Sequence, residues 1–182
     1  MRDDPTLTFR NGHRVTFVAN GTDEQGPYLR LEHILLRPER LAGPHWHPAL
    51  GERWTVRRGR VRYRIDGVEI VASAGDTVDA PAGSVHEFWN EAPDTVIDHE
   101  IRPPLRHWEM FRLWHNLDRA GKTTRARVPR DPLALALLWD YQDGYLAGVP
   151  AWLQRSVLGS LARVARGCGY QRRWLENGPD LP

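Results

Sequence analysis

The chain has 182 residues, 25 basic and 23 acidic side chains, a net charge of +2 and one cysteine, Cys168. That length holds one substantial core with an appendage, and a single cysteine excludes an internal disulfide; with no charged-then-apolar leader, the expected location is a reducing cytoplasm. No uninterrupted apolar run reaches the roughly 18 residues of a spanning helix, and because Lys122 is the only lysine among the basic residues, the arginine bias reads as base composition, with no nucleic-acid partner expected.

From residue 6 to about 102 the chain reads as short strands separated by turn chemistry. Asn11-Gly12 and Asp66-Gly67 have apolar or β-branched flanks and supply the positive φ angles of two-residue hairpins. Strands are expected at Val15 to Ala19, Tyr28 to Arg37, Arg53 to Arg58, Val85 to Trp89 and Thr95 to Arg102. Between Gly59 and Gly75, Val61, Tyr63 and Ile65 alternate with Arg60, Arg62 and Arg64, which predicts a strand with one apolar and one arginine face. The arginine face is either solvated or paired with carboxylates at a subunit interface. Many short strands with regular turns predict a mainly β fold, a closed barrel or sandwich, over residues 1–102.

After Pro103-Pro104 the composition shifts to leucine, alanine, tryptophan and arginine, and residues 103–182 read as a helical extension packed on the barrel or on a partner subunit. Leu105, Trp108, Phe111 and Leu113 begin a helix ending near Gly121; Pro132 can open a second at its first turn, and Pro150 divides that from a third. In the third, Trp152, Leu153, Val157, Leu158, Leu161 and Val164 recur at helical spacing among Arg155, Arg163 and Arg166. Such a face covers a core, lies on an anionic membrane surface, or buries itself in a second subunit, and a homodimer is expected.

Chemistry concentrates in two segments. The first is Gly43-Pro-His45-Trp-His47, then Glu52 after four residues and Gly59 after six more; the second is Gly75, then Pro81-Ala-Gly83, His86 and Asn90. His45 and His47, two apart in an extended stretch, project the same way about 7 Å apart along the chain, a gap one ion can bridge. With Glu52 and His86 from other strands, three neutral imidazoles and a carboxylate suit a first-row transition ion. By the same parity Glu52 carries Trp54 and Val56 inward, His86 carries Phe88, and Tyr63, His33 and His99 also face in, so Trp54, Tyr63, Phe88, His33 and His99 are candidate pocket residues. His13, His107 and His115 are read as surface or packing residues, and Asn90 as a turn tie rather than a ligand.

The two segments resemble the paired motifs of the cupin superfamily, small β-barrels of the double-stranded β-helix (jelly-roll) type. The match runs through His45, His47, Glu52 and Gly59 in the first motif and Gly75, Pro81, Gly83, His86 and Asn90 in the second, with a spacer of 15 residues between Gly59 and Gly75; Gly43 stands closer to His45 than the family pattern has it. The resemblance spans roughly residues 28 to 102 and implies His45, His47, Glu52 and His86 as ligands of one divalent transition metal, Fe, Mn, Ni, Cu or Zn. It further implies an enzyme acting on a small organic molecule, a dioxygenase-like oxidoreductase of the quercetinase-like kind. The alternatives are a non-redox isomerase, cyclase or lyase, of which aromatic polyketide cyclases are one kind, and a cupin that binds a small molecule without turnover.

Overall fold

The computed structural model describes residues 6–176. The chain divides into two compact units, Met1–Leu105 and Arg106–Pro182.

The first unit is built from ten antiparallel strands, β1 (Thr6–Thr8), β2 (Arg14–Asp23), β3 (Gly26–Leu35), β4 (Glu39–Trp46), β5 (Gly51–Arg58), β6 (Arg60–Ile65), β7 (Val68–Ser73), β8 (Thr77–Ala80), β9 (His86–Asn90) and β10 (Thr95–Arg102). One sheet has the order β1-β2-β3-β10-β5-β8, and the other runs β4-β9-β6-β7. Alternation places one side chain in two inside, so Trp54, Val56, Val61, Tyr63, Ala72, Val78, Ala80, Leu35 and Ile97 meet as a core, flanked by Leu41, Ile65 and Phe88. This is the mainly β barrel of double-stranded β-helix type that the motifs imply.

The Asp66-Gly67 hairpin forms as expected: Ile65 faces Val68, and both turn residues have positive φ, 48° and 85°. Asn11-Gly12 instead lies in a five-residue connection, because the last registered pair of β1 and β2 is Thr8 with Arg14. The Asn11 side chain explains the longer loop, since its Oδ1 accepts from His13 N at 3.1 Å and its Nδ2 donates to Glu39 at 2.8 Å. A tight hairpin without a glycine-containing turn pair joins β2 to β3 at Glu24-Gln25, where Asp23 faces Gly26.

The arginine face of β6 is neutralised within the chain. Arg62 donates to Glu91 at 2.7 Å, Arg64 to Glu87 at 3.1 Å, and Arg62 and Arg64 both lie over the Trp89 ring. Arg40 from β4 reaches the same Glu87 and the same ring.

In the second unit, α1 (His107–Arg119) buries Met110, Phe111, Leu113 and Leu117. Asp131 caps α2 (Pro132–Gln142), accepting from Leu133 N at 2.9 Å, with Pro132 in the first turn. The third helix, α3 (Ala151–Gly167), follows Pro150 and buries Gln154, Ala162 and Ala165. Its apolar stripe is split, for Trp152 is 70% exposed and Val157 and Val164 are about half exposed. Helical periodicity had set these residues on shared faces without saying what lies against them. A π-helical turn, Arg172–Glu176, ends the described chain.

Candidate metal centre

The two sheets deliver the four motif residues from three strands and one strand end. His45 sits near the end of β4 and His47 one residue beyond it; Glu52 comes from β5 and His86 opens β9. His45 and His86 are register partners across β4 and β9, while Glu52 projects from the opposite sheet. All four are buried, with 8%, 2%, 7% and 2% exposure for His45, His47, Glu52 and His86. One ligand atom from each lies within 4.8 Å of all the others.

The connections between strands aim the rings. His45 Nδ1–H donates to the Gly43 carbonyl at 2.8 Å, and His86 Nδ1–H to the Ser84 carbonyl at 3.1 Å, leaving each Nε2 lone pair toward the cluster. The Ser84 carbonyl is itself held by the Pro81-Ala-Gly83 turn. Gly83, at φ +86°, donates its N–H to the His47 carbonyl at 2.8 Å, and Ser84 bonds back to Pro81 through both its N–H and its hydroxyl. Asn90 ties the Arg37 and Ala92 carbonyls at 2.8 Å each and is a turn brace, as expected.

Glu52 Oε2 lies 2.7 Å from His86 Nε2 and 3.5 Å from His47 Nε2. Among the described residues, His86 Nε2 is nevertheless a buried nitrogen without an aligned hydrogen-bond partner. A buried carboxylate oxygen and two imidazole nitrogens gathered this closely are held together by a shared cation or, without one, by a proton on His86. Imidazole nitrogens and a carboxylate oxygen are the donor types of first-row transition ions, so the residues present fit the group.

Electrostatics points the same way. Burial, followed by the neighbouring His86 and His47, pushes His45 down to about 3, so its nitrogen is neutral at ordinary pH. Burial alone would raise the Glu52 carboxyl, but His47, His86 and His99 outweigh it and hold Glu52 well below the usual carboxylate range. For His86, burial opposes the charged form, yet contact with Glu52 prevails and raises it.

Of the candidate pocket residues, Trp54, Tyr63, Phe88 and His99 pack beside this cluster, His33 lies behind His99, and none of the five lines the cavity at Glu52. The Trp54 ring stacks on His99 at 5.3 Å and lies 5.2 Å from Tyr63, 5.3 Å from Phe88 and 5.7 Å from His86. Trp54 Nε1 and Tyr63 OH are buried without hydrogen-bond partners among the described residues. Burial, reinforced by the Glu52 charge, pushes the Tyr63 phenol up, so it stays protonated. A cavity of about 310 Å³ opens beside Glu52, bordered by Gly51, Pro81, Arg53, Glu100 and Arg102.

His33 and His99 also face the interior, and their bonding was not legible beforehand. His99 Nε2 donates to Glu52 Oε1 at 3.0 Å, His33 Nε2 meets His99 Nδ1 at 3.2 Å, and His13 Nε2 meets His33 Nδ1 at 3.1 Å. The sequence suggests a surface or packing role for His13. It does pack, 4% exposed and stacked on Phe9, but it also ends this chain of imidazoles. Counting parity back from Val15, the register partner of His33, would have found it.

Two antiparallel sheets enclosing a buried three-histidine, one-glutamate cluster that could hold a metal ion define a small metal-site barrel. Residues 33–97 match the family described as Cupin domain, and the barrel belongs to the cupin superfamily. No curated protein matches the chain. Solved structures similar to it include KdgF from Halomonas sp., 22% identical with a TM-score of 0.45, covering 50% of this chain and 79% of that one. Another is an RmlC-like cupin from Shewanella frigidimarina, 16% identical with a TM-score of 0.45, covering 54% of this chain and 84% of that one. A third is a double-stranded β-helix protein from Klebsiella pneumoniae, 24% identical with a TM-score of 0.41, covering 48% of this chain and 74% of that one. At these identities the likeness is one of fold alone. No helix among the described residues is long and apolar enough to cross a membrane.

Proposed function

We propose that the protein is a metal-dependent enzyme acting on a small, oxygen-bearing organic molecule, with His45, His47, Glu52 and His86 holding one divalent transition ion. The observation that carries this reading is the convergence of four buried donor atoms within 4.8 Å. A bound ion would supply Lewis acidity and, if redox-active, a route to dioxygenase-like chemistry.

The chain's own residues would bind and orient the substrate. Trp54, Tyr63 and Phe88 pack on one another in the barrel core, with Trp54 against His86. The unpartnered Trp54 N–H and Tyr63 O–H are two donors able to take a carbonyl, hydroxyl or carboxylate oxygen. Leaving such groups unsatisfied in the core costs about 1–3 kcal/mol each, which favours a ligand that satisfies them.

A second reading is non-redox isomerase, cyclase or lyase chemistry. The phenol of Tyr63 favours it, because burial keeps that proton in place and available to a substrate oxygen on which negative charge develops. A binding-only protein is the third reading, and the homodimer belongs to the proposal, supported by the exposed apolar face of α3.

The test is oxygen uptake and product analysis with flavonoid, diketone and polyketide substrates after loading with iron, manganese, nickel, copper or zinc. Oxygen consumption with product supports the dioxygenase reading; product without oxygen consumption supports the second. Stoichiometric ligand binding without product under every metal contradicts an enzyme.

A further inference from the structure

We propose that His13, His33 and His99 are positioning residues that hold Glu52 through one oriented line of hydrogen bonds, a role that rests on the reading of Glu52 as a metal ligand. The line follows from sheet register. His99 is two residues from Ile101, the partner of Glu52; His33 is the partner of Ile97, two residues from His99; and His13 is two residues before Val15, the partner of His33. Each step is therefore a same-face diagonal between adjacent chain segments, the spacing at which aromatic side chains reach one another. Consecutive rings stand 5.4 Å and 5.3 Å apart from His13 to His33 to His99.

The ionised Glu52 sets the direction. A carboxylate only accepts, so His99 presents Nε2–H to Oε1 and leaves Nδ1 as an acceptor. His33 must then donate from Nε2 to His99, and His13 from Nε2 to His33. All three are fixed as Nε2–H tautomers, opposite to His45 and His86, whose Nδ1–H groups bind backbone carbonyls. The barrel thus sorts its imidazoles into two classes: two with Nε2 lone pairs turned to the cluster and three with Nε2–H groups pointing along the line toward Glu52. The consequence is that Glu52 Oε1 is occupied and Oε2 alone is offered to the cluster, which fixes the carboxylate as a one-oxygen ligand.

Two measurements test this. In the metal-free wild-type protein, imidazole ¹⁵N–¹H correlation spectra should assign Nε2–H to His13, His33 and His99 and Nδ1–H to His45 and His86; an Nδ1–H proton on His33 or His99 overturns the proposal whatever the metal does. The second compares zinc affinity in His33→Phe, which keeps the ring volume, and His33→Gln, which keeps a donor and an acceptor in line. His33→Phe should weaken zinc binding several-fold, less than the roughly 10–100-fold that follows loss of a ligand's direct hydrogen-bonding partner, while His33→Gln stays close to wild type. Equal affinity in both variants, whether high or low, overturns the positioning role. Wild-type protein that binds no zinc overturns the metal reading instead, and the tautomer assignment still decides the line.

Discussion

His45 and His86 face each other across β4 and β9 with ring centroids 4.3 Å apart, and their affinities for protons are displaced in opposite directions. In mild acid, around the ordinary imidazole value, His86 carries a proton and His45 does not. Metal binding must displace the proton on His86, so affinity falls as the pH drops through this window. Proton release on zinc saturation should be lower in His86→Asn than in wild type and unchanged in His45→Asn.

The same contrast shapes folding in the absence of metal. The unfolded chain protonates His45 near its ordinary 6.5, the folded chain only near 3, so stability declines with acid between those values. His86 has the opposite sign: its contact with Glu52 contributes fully below the ordinary imidazole value and is lost as pH rises through the raised one. Urea unfolding of His45→Asn should depend less steeply on pH below 6.5 than that of wild type; an unchanged slope would show that His45 is not held neutral.

Gly59 joins β5 to β6 at φ +93°, and a Cβ there would meet Thr95 Oγ1 at 2.1 Å and its Cα at 2.9 Å. Thr95 is fully buried and cannot withdraw. Gly67 has a similar φ of +85° with open space around it. Gly67→Ala should therefore cost only left-handed strain, about 1–2 kcal/mol, and Gly59→Ala clearly more, because overpacking adds about 1–3 kcal/mol. Denaturant midpoints of the two variants check the order.

Arg102, at the end of β10, reaches across β3 to the end of β2, donating to Asp23 at 2.7 and 2.8 Å, and also to Glu100 at 2.7 Å. Its hydrogen bond is the main cause of the lowered Asp23 carboxyl; burial would raise Glu100, but Arg102 and Arg30 hold it down. Groups lowered in the folded state stabilise it above their ordinary values and lose that effect as pH falls through the folded ones. Arg102→Gln should thus be less stable than wild type at neutral pH and approach it in strong acid, as read by thermal unfolding across pH.

What the residues disclosed in advance follows from geometry. His45, His47, Glu52 and His86 were legible because strand parity and turn spacing determine which way a side chain points. Trp54, Tyr63 and Phe88 followed from the same parity. His13 was not, since the strand was read as beginning at Val15, which left His13 just outside it, and its partner His33 is 20 residues away. Strand β4 was hidden by Gly43-Pro44, which breaks its pairing with β9 between Ala42 and His45. The exposure of Trp152 and Val157 was hidden because a helical period groups residues on a face but does not name the neighbour.

That exposed face gives its own prediction. If α3 pairs with a second copy, Trp152→Glu should convert a dimer to a monomer in light scattering while leaving zinc affinity unchanged. A wild-type monomer at high concentration would remove the dimer from the proposal.

The most direct test of the central claim is the metal content of protein purified without added metal and then titrated with zinc or cobalt. The account predicts near-stoichiometric binding in wild type, lost in Glu52→Gln and His47→Ala variants whose circular dichroism shows an intact barrel. Wild-type protein that stays folded and takes up no ion, or variants that bind as well as wild type, would contradict it.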